Sequence, residues 1–297
     1  MERVELNVGL ELSRVVYGTW RLGGGDTSTP AGVQARLEAC LEQGITSFDL
    51  ADIYGGYTTE ALFGTALKAA PHLRAGMEIV TKCNIIAPVG RYADRPVKYY
   101  DSSPAHIATS IDRSLQNLHV ERIDLLLLHR PDPLMDPVET GRALDEAVAS
   151  GKVRAVGVSN FMPHDFELLQ AAMETRLATN QIEISLLTHA PLTDGALAFL
   201  QCRGVVPMAW SPLGGGALLS SGHSQLNATL REIAVREGVE PMQVALAWLL
   251  AHPATILPVV GTGKIERIRQ IPTALDFGMD RETWYRLYTA ALGHEVP

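Results

Sequence analysis

Short apolar runs alternate with amphipathic segments from one end of the chain to the other. Runs of this length, bounded by polar or turn-forming residues, read as buried strands. Eight of them lie near Val15–Thr19, Thr46–Asp49, Ile79–Lys82, Ile123–His129, Val153–Ser159, Thr179–Glu183, Val205–Trp210 and Ile256–Val260. Helical periodicity fills the intervals. After the third run, Ser103 and Pro104 mark a helix start, and Ile107, Ile111, Leu115 and Leu118 recur on one face. Eight strand–helix units predict a closed parallel (β/α)8 TIM barrel, whereas five or six would suggest an open doubly wound sheet. A hairpin around Val4–Asn7 and Leu10–Leu12 is expected to plug the bottom of the barrel.

Three stretches interrupt the repeat. Ile85–Asp101 reads as a long loop carrying Arg91, Arg95 and Lys98, and Leu213–Leu226 as a Gly/Ser-rich loop. From Thr273 onward an extra C-terminal helix follows, with Asp280 as its cap and Trp284, Leu287 and Tyr288 on it. Long loops over the catalytic end of a barrel shape pockets. No internal repeat or linker is visible, so residues 1–297 are expected to form one domain.

Bulk properties narrow the function. The 297 residues suit one α/β barrel of roughly 250 residues plus insertions. Apolar content of 46% and charged content of 20% fit a soluble enzyme. A net charge of -8 argues against nucleic acid as a partner. No apolar run approaches the roughly 20 residues of a membrane span, and the N-terminus lacks a signal-peptide pattern. Cys40, Cys83 and Cys202 are odd in number and widely spaced, suggesting neither disulfides nor a metal site, and a cytoplasmic location.

Four polar residues stand out because they close or follow consecutive strands. Asp49, Lys82 and His129 each end an apolar run, and Tyr54 lies five residues beyond Asp49. An ionisable group at the end of a buried strand is costly without a partner, and these four can partner one another. A phenol with a pKa of about 10 is a poor acid near neutrality, and an ammonium beside it favours the phenolate. Aspartate would keep that lysine charged, and histidine could donate to a substrate oxygen. Carbonyl reduction needs such a proton donor. Taken singly, each has a plainer reading as a structural ion pair or a satisfied core residue.

Three motifs carry a family resemblance: Phe48-Asp49-Leu50-Ala51-Asp52-Ile53-Tyr54-Gly55, Leu128-His129-Arg130-Pro131-Asp132 and Gly157-Val158-Ser159-Asn160-Phe161. In this order they resemble the aldo-keto reductases, and the runs Gly55-Gly56-Tyr57, His129-Arg130-Pro131-Asp132-Pro133 and Gly261-Thr262-Gly263-Lys264 most closely resemble the bacterial YdhF-type branch. The resemblance implies a barrel that binds NADPH without a Rossmann domain, Tyr54 as acid, Lys82 and Asp49 as its tuning pair, and His129 as the orienting donor. It also places Gly18, Thr19 and Trp20 at the cofactor, and Trp20, Tyr54 and His129 around the substrate. Ser159, Asn160 and Gln181 match the clamp on the nicotinamide carboxamide, and Trp210 the aromatic stacked on the nicotinamide.

Ser211-Pro212-Leu213-Gly214 and the following glycines resemble the pyrophosphate loop, where backbone N–H groups can approach phosphate. The run Leu22-Gly23-Gly24-Gly25-Asp26 lacks the third glycine of a dinucleotide fingerprint. Gly261, Thr262, Gly263, Lys264, Arg267 and Gln270 match the adenosine end, with Arg267 on the 2′-phosphate and Gln270 on the adenine. Gly261 stands where the family usually has a phosphate-binding lysine. NADPH is therefore favoured over NADH, without strict exclusion. Taken alone, Lys264 and Arg267 would read as a solvated helix face.

The leading expectation is thus an NADPH-dependent reductase of aldehydes or ketones. The alternative is a nucleotide-binding regulatory or sensor barrel with little turnover. A third reading, a lyase or hydrolase with Lys82 as Schiff base, conflicts with a lysine held charged by Asp49.

Overall fold

The structure is a computed structural model that describes every residue except Asn7, Gly24, Gly25, Asp26, Thr27, Ser221 and His223. Its frame is a closed barrel of eight parallel strands. Two antiparallel strands come first, β1 (Arg3–Leu6) and β2 (Leu10–Ser13). The barrel follows with β3 (Val16–Gly18), β4 (Ser47–Asp49) and β5 (Glu78–Cys83). A short ribbon interrupts it, β6 (Ile85–Ile86) paired with β7 (Tyr99–Tyr100). The barrel resumes with β8 (Ile123–Leu128), β9 (Val153–Ser159), β10 (Asn180–Glu183), β11 (Met208–Trp210) and β12 (Leu257–Val260). Closure is made by β12 on β3, with Val259 opposite Val16 and Val260 opposite Tyr17.

The eight expected strands are all present: β9 keeps its expected bounds, β5 runs one residue further at each end, and the others are trimmed. The largest change is at β11, which was expected from Val205 and begins at Met208. Pro207 precedes it and has no N–H to give to a ladder. Its carbonyl still accepts from Leu257 N at 2.9 Å. The hairpin pairs Leu6 with Leu10 and Val4 with Leu12. Asn7, included in the expected hairpin, lies outside the described residues. Leu6, Leu10 and Leu12 are wholly buried in one cluster with Val16, Val80, Leu125, Leu127 and Leu257 from the barrel interior. The hairpin therefore does cap the barrel bottom.

Two expected loops contain regular structure. The stretch Ile85–Asp101 holds the β6–β7 ribbon and a 3-10 turn at Gly90–Tyr92. Strands of two residues are too short to show alternation in a sequence. The stretch Leu213–Leu226 opens as a 3-10 segment, Gly214–Leu219, and ends inside the helix Ser224–Glu237. Ser221 and His223, and Gly24, Gly25 and Asp26 of the early glycine run, lie outside the described residues.

Helix starts follow the sequence. Ser103 Oγ accepts from His106 N at 3.3 Å, and Asp280 Oδ1 accepts from Thr283 N at 2.8 Å. The C-terminal helix Arg281–Leu292 is fastened to the helix Pro241–Leu250 by two indoles. The Trp248 and Trp284 rings stack at 4.9 Å, and each Nε1 donates to the other's backbone carbonyl. Among the described residues no helix is long and apolar enough to cross a membrane.

Candidate active site

Strand ends bring the four polar residues together at one edge of the barrel. Asp49 closes β4, Lys82 lies one residue from the end of β5, and His129 follows β8 directly. Parallel pairing of β4 with β5 and of β5 with β8 puts these ends side by side. Tyr54 opens a tight turn beyond β4 in which Gly55, Gly56 and Tyr57 all have positive φ, at 59°, 64° and 72°.

The contacts are direct. Lys82 Nζ donates to Asp49 Oδ2 at 2.7 Å, to Leu50 O at 2.8 Å and to the Tyr54 hydroxyl at 3.2 Å. Lys82 is fully buried and Asp49 nearly so. The Tyr54 and His129 rings meet edge to face with centroids 5.9 Å apart. Burial pulls the Lys82 ammonium down, but Asp49 and then Tyr54 outweigh it and its pKa is raised. Burial raises the Tyr54 phenol, and the Lys82 charge opposes that rise without cancelling it. Burial, with Lys82, Arg130 and Lys98, pushes His129 well below the usual histidine range. Near neutrality this gives a charged lysine, a protonated phenol and a neutral imidazole. The imidazole Nδ1 is buried and has no hydrogen-bond partner.

The expected nicotinamide residues continue the same network. Ser159 Oγ donates to Gln181 O at 2.8 Å, and Asn160 Nδ2 donates to Ser159 Oγ at 2.8 Å and to His129 O at 3.2 Å. Trp210 Nε1 donates to Asn160 Oδ1 at 2.9 Å. Asn160 holds a positive φ of 62°, which asparagine tolerates better than most residues. Gln181 Nε2 donates to Asp49 Oδ1 at 2.8 Å, so Asp49 has a second partner besides Lys82. Arg130 places its guanidinium over the Trp210 ring, 5.7 Å from the centroid.

The remaining expected residues line the same edge. Gly18 packs against β12, where a Cβ would meet Val259 Cγ1 at 3.0 Å. Thr19 is buried and gives both its N–H and its hydroxyl to Asp49 O, each at 2.9 Å. Trp20, expected to wall the substrate pocket, stands at the rim with 62% exposure and Arg21 over its ring. In the run after β11, Ser211 has a φ of 49°, and Gly214, Gly215 and Gly216 follow Pro212 and Leu213 with φ of 56°, 64° and 97°. Two of its N–H groups are used inside the loop, Gly214 N to Ser211 O and Gly216 N to Leu213 O.

Beyond β12, Gly261 lies close to Gly18, where a Cβ would approach the Gly18 carbonyl oxygen at 3.2 Å. Thr262 O accepts from Tyr17 OH at 2.7 Å, and Thr262 Oγ1 from Lys264 N at 3.3 Å. Gly263 and Lys264 lead exposed into the helix Ile265–Gln270. Arg267 and Gln270 share a cleft of about 240 Å³ with Asn227, Arg231 and Glu240.

Sequence reasoning missed several supporting groups. Asn84, buried beyond β5, donates to Arg130 O at 2.7 Å and accepts from Arg130 N at 3.1 Å. It thereby fixes the backbone next to His129. Its signal was a polar residue directly after an apolar strand. Asn227 and Arg231 of the cleft sit in an ordinary amphipathic helix and gave no signal.

Comparisons with known proteins show the family. The sequence model of the Aldo/keto reductase family matches residues 14–291. The chain is 57% identical over 296 residues to a 6-dehydroglucose reductase of Agrobacterium fabrum, covering all of both chains. It is 46% identical to the oxidoreductase YdhF of Escherichia coli, over 97% of each. An aldo/keto reductase crystal structure from Klebsiella pneumoniae, in complex with NADP and acetate, superposes with a TM-score of 0.80 at 26% identity, over 96% of this chain and 93% of that one. A closed (β/α)8 barrel, a family match across nearly its whole length and a YdhF-like sequence make this chain an oxidoreductase of the aldo/keto reductase family.

Proposed function

We propose that the protein, acting as one domain, reduces aldehydes or ketones to alcohols with NADPH, and that Tyr54 is the general acid. The observation that carries this reading is the bond from the buried Lys82 ammonium to the Tyr54 hydroxyl, with Asp49 behind the lysine. Burial keeps the phenol protonated before reaction. The Lys82 charge lies where it stabilises a phenolate as the proton leaves. Asp49, held by Gln181 as well, keeps that charge in place. The neutral His129 ring, edge to face with Tyr54, can donate an N–H to a substrate oxygen.

The chain also suits the nucleotide. Asn160, Ser159 and Gln181 present amide and hydroxyl groups to a carboxamide, and Trp210 gives an aromatic face. The Gly214–Gly216 backbone leaves the loop free of side chains for a pyrophosphate, while Lys264, Arg267 and Gln270 suit a 2′-phosphate and adenine. When bound, NADPH supplies the hydride. The protein's residues orient the carbonyl, keep water from it and deliver the proton from Tyr54 Oη. The Klebsiella pneumoniae relative in complex with NADP supports this choice of nucleotide.

The 57% identical relative is named for 6-dehydroglucose, which makes a sugar aldehyde the first substrate to test. The experiment follows NADPH oxidation with 6-dehydroglucose and with a generic aromatic aldehyde. Turnover of either supports the reading. Tight NADPH binding with no oxidation by any aldehyde or ketone would leave a nucleotide sensor instead.

A further inference from the structure

The segment after β5 folds back onto the turn that carries Tyr54. The Tyr57 hydroxyl donates to Ile85 O at 3.1 Å and accepts from Ala87 N at 2.9 Å. The Tyr57 and Tyr92 rings meet edge to face, with centroids 5.2 Å apart. A Cβ on Gly90 would collide with the Gly56 carbonyl oxygen, so the two backbones touch. Arg91 covers this junction, 4.3 Å from the Tyr57 ring centroid and 5.2 Å from that of Tyr92. Its Nη2 reaches Asp52 Oδ2 at 3.3 Å.

Asp52 links the junction to the reacting groups. It lies two residues before Tyr54 and is 2% exposed. Its backbone N–H donates to Lys82 O at 3.0 Å. Its Oδ1 has no partner, so Arg91 is the side chain that bonds this carboxylate. The turn between them is strained, because Tyr57 is a bulky residue at a φ of 72°. Such a conformation persists only where its surroundings over-determine it.

We propose that Arg91 and Asp52 are positioning residues, an ion pair that clamps the segment after β5 onto the Tyr54 turn and so holds the Tyr54 hydroxyl against Lys82. The clamp itself stands on geometry, and its effect on rate rests on the reading of Tyr54 as the acid.

Its strength should follow pH. Burial and then the Glu60 charge push the Asp52 carboxyl up to about 7, against Arg91, the Ile53 N–H and Arg113. The charged and titratable groups around it are Glu60 on the helix Thr59–Ala69, Arg113 on the helix Pro104–Leu118, Arg91, Tyr57 in the turn, and Cys83 on β5. Cys83 is raised well above its ordinary range by burial and remains a neutral thiol. Asp52 therefore carries its full charge toward Arg91 above about pH 7 and loses it below.

The test compares the parent with Arg91→Met, Arg91→Lys and Asp52→Asn. Amide exchange over residues 53–58 and 85–92 should quicken in Arg91→Met and Asp52→Asn. Aldehyde kcat should fall about tenfold, with the NADPH Kd unchanged and Arg91→Lys intermediate. The double variant Arg91→Met/Asp52→Asn should be no slower than either single one. The ratio of parent kcat to that of Asp52→Asn should be largest above pH 7 and approach one below it. Should Arg91→Met not fold, Asp52→Asn, nearly identical in shape, carries the same measurements. Parent-like exchange in Asp52→Asn would overturn the clamp. Faster exchange with a pH-independent kcat ratio would overturn the positioning role. A parent protein that reduces no carbonyl would overturn the proposed function alone, since exchange reads the clamp without turnover.

Discussion

The ammonium of Lys82 donates to the hydroxyl of Tyr54 at 3.2 Å from a position with no exposure to solvent. Burial makes both partners sensitive to each other. A charge this close to a phenol, in so buried a position, acts on it far more strongly than it would at a surface. The phenol is raised by the same burial. The pair thus holds a proton firmly at rest and has the means to stabilise its loss.

Tyr54→Phe keeps the ring and removes the hydroxyl proposed as the acid. Carbonyl reduction should fall by about 10²–10⁴ while NADPH binding survives. Lys82→Met should lower the rate comparably and shift its pH profile, because the phenol loses the charge that opposes its rise. Steady-state rates with one aldehyde across pH decide both, and parent-like kinetics in either variant would remove that residue from the mechanism.

Lys82→Met should also weaken the fold. It strands the buried Asp49 carboxylate with Gln181 as its remaining side-chain partner, a loss of about 3–5 kcal/mol for breaking one side of a buried pair. Asp49→Asn/Lys82→Met, which removes both charges, should recover part of that loss. Urea unfolding of the two variants measures the difference.

His129 ties stability to acid. Its folded pKa is depressed by burial and by Lys82, Arg130 and Lys98, so below about 6.5 the unfolded chain takes up a proton that the folded protein refuses. The contribution is complete above that value. It is lost as pH falls, by up to about 1.4 kcal/mol per pH unit. Thermal unfolding between pH 7.5 and 5 should show a smaller acid loss in His129→Gln than in the parent. Equal losses would mean that the folded imidazole protonates normally.

Arg267→Ala should weaken NADPH more than NADH. A charge-assisted bond to the 2′-phosphate contributes about 1.5 kcal/mol, the low end of its range because Arg267 is exposed. Tryptophan fluorescence on titration with each nucleotide reads the effect. An equal loss for both nucleotides would place Arg267 elsewhere along the cofactor.

What was legible in the sequence was whatever a strand end announces. Asp49, Lys82 and His129 each interrupt an apolar run, and the parallel pairing that aligns them follows from eight strand–helix repeats. Contacts that no strand end announces were not legible. Nothing in the sequence around Gln181 shows that its amide reaches Asp49, 132 residues away. Trp20 was expected at a pocket wall from its place at the end of the first strand, which carries no information on exposure. Asp52 was read only as part of a motif, because its meaning depends on Arg91, and Arg91 lies in a ribbon too short to show a period.

Closure of the barrel by β12 on β3 has a consequence during synthesis. Val16 is made 243 residues (259 − 16) before its neighbour Val259. At about 5–20 residues per second, β3 waits roughly 12–50 s on the ribosome with one edge unpaired. The N-terminal hairpin waits equally long for Leu257 and Val259, which complete the cluster that buries it. A chain interrupted before β12 exposes two open strand edges, on β3 and on β11, and each is a template for pairing with another molecule.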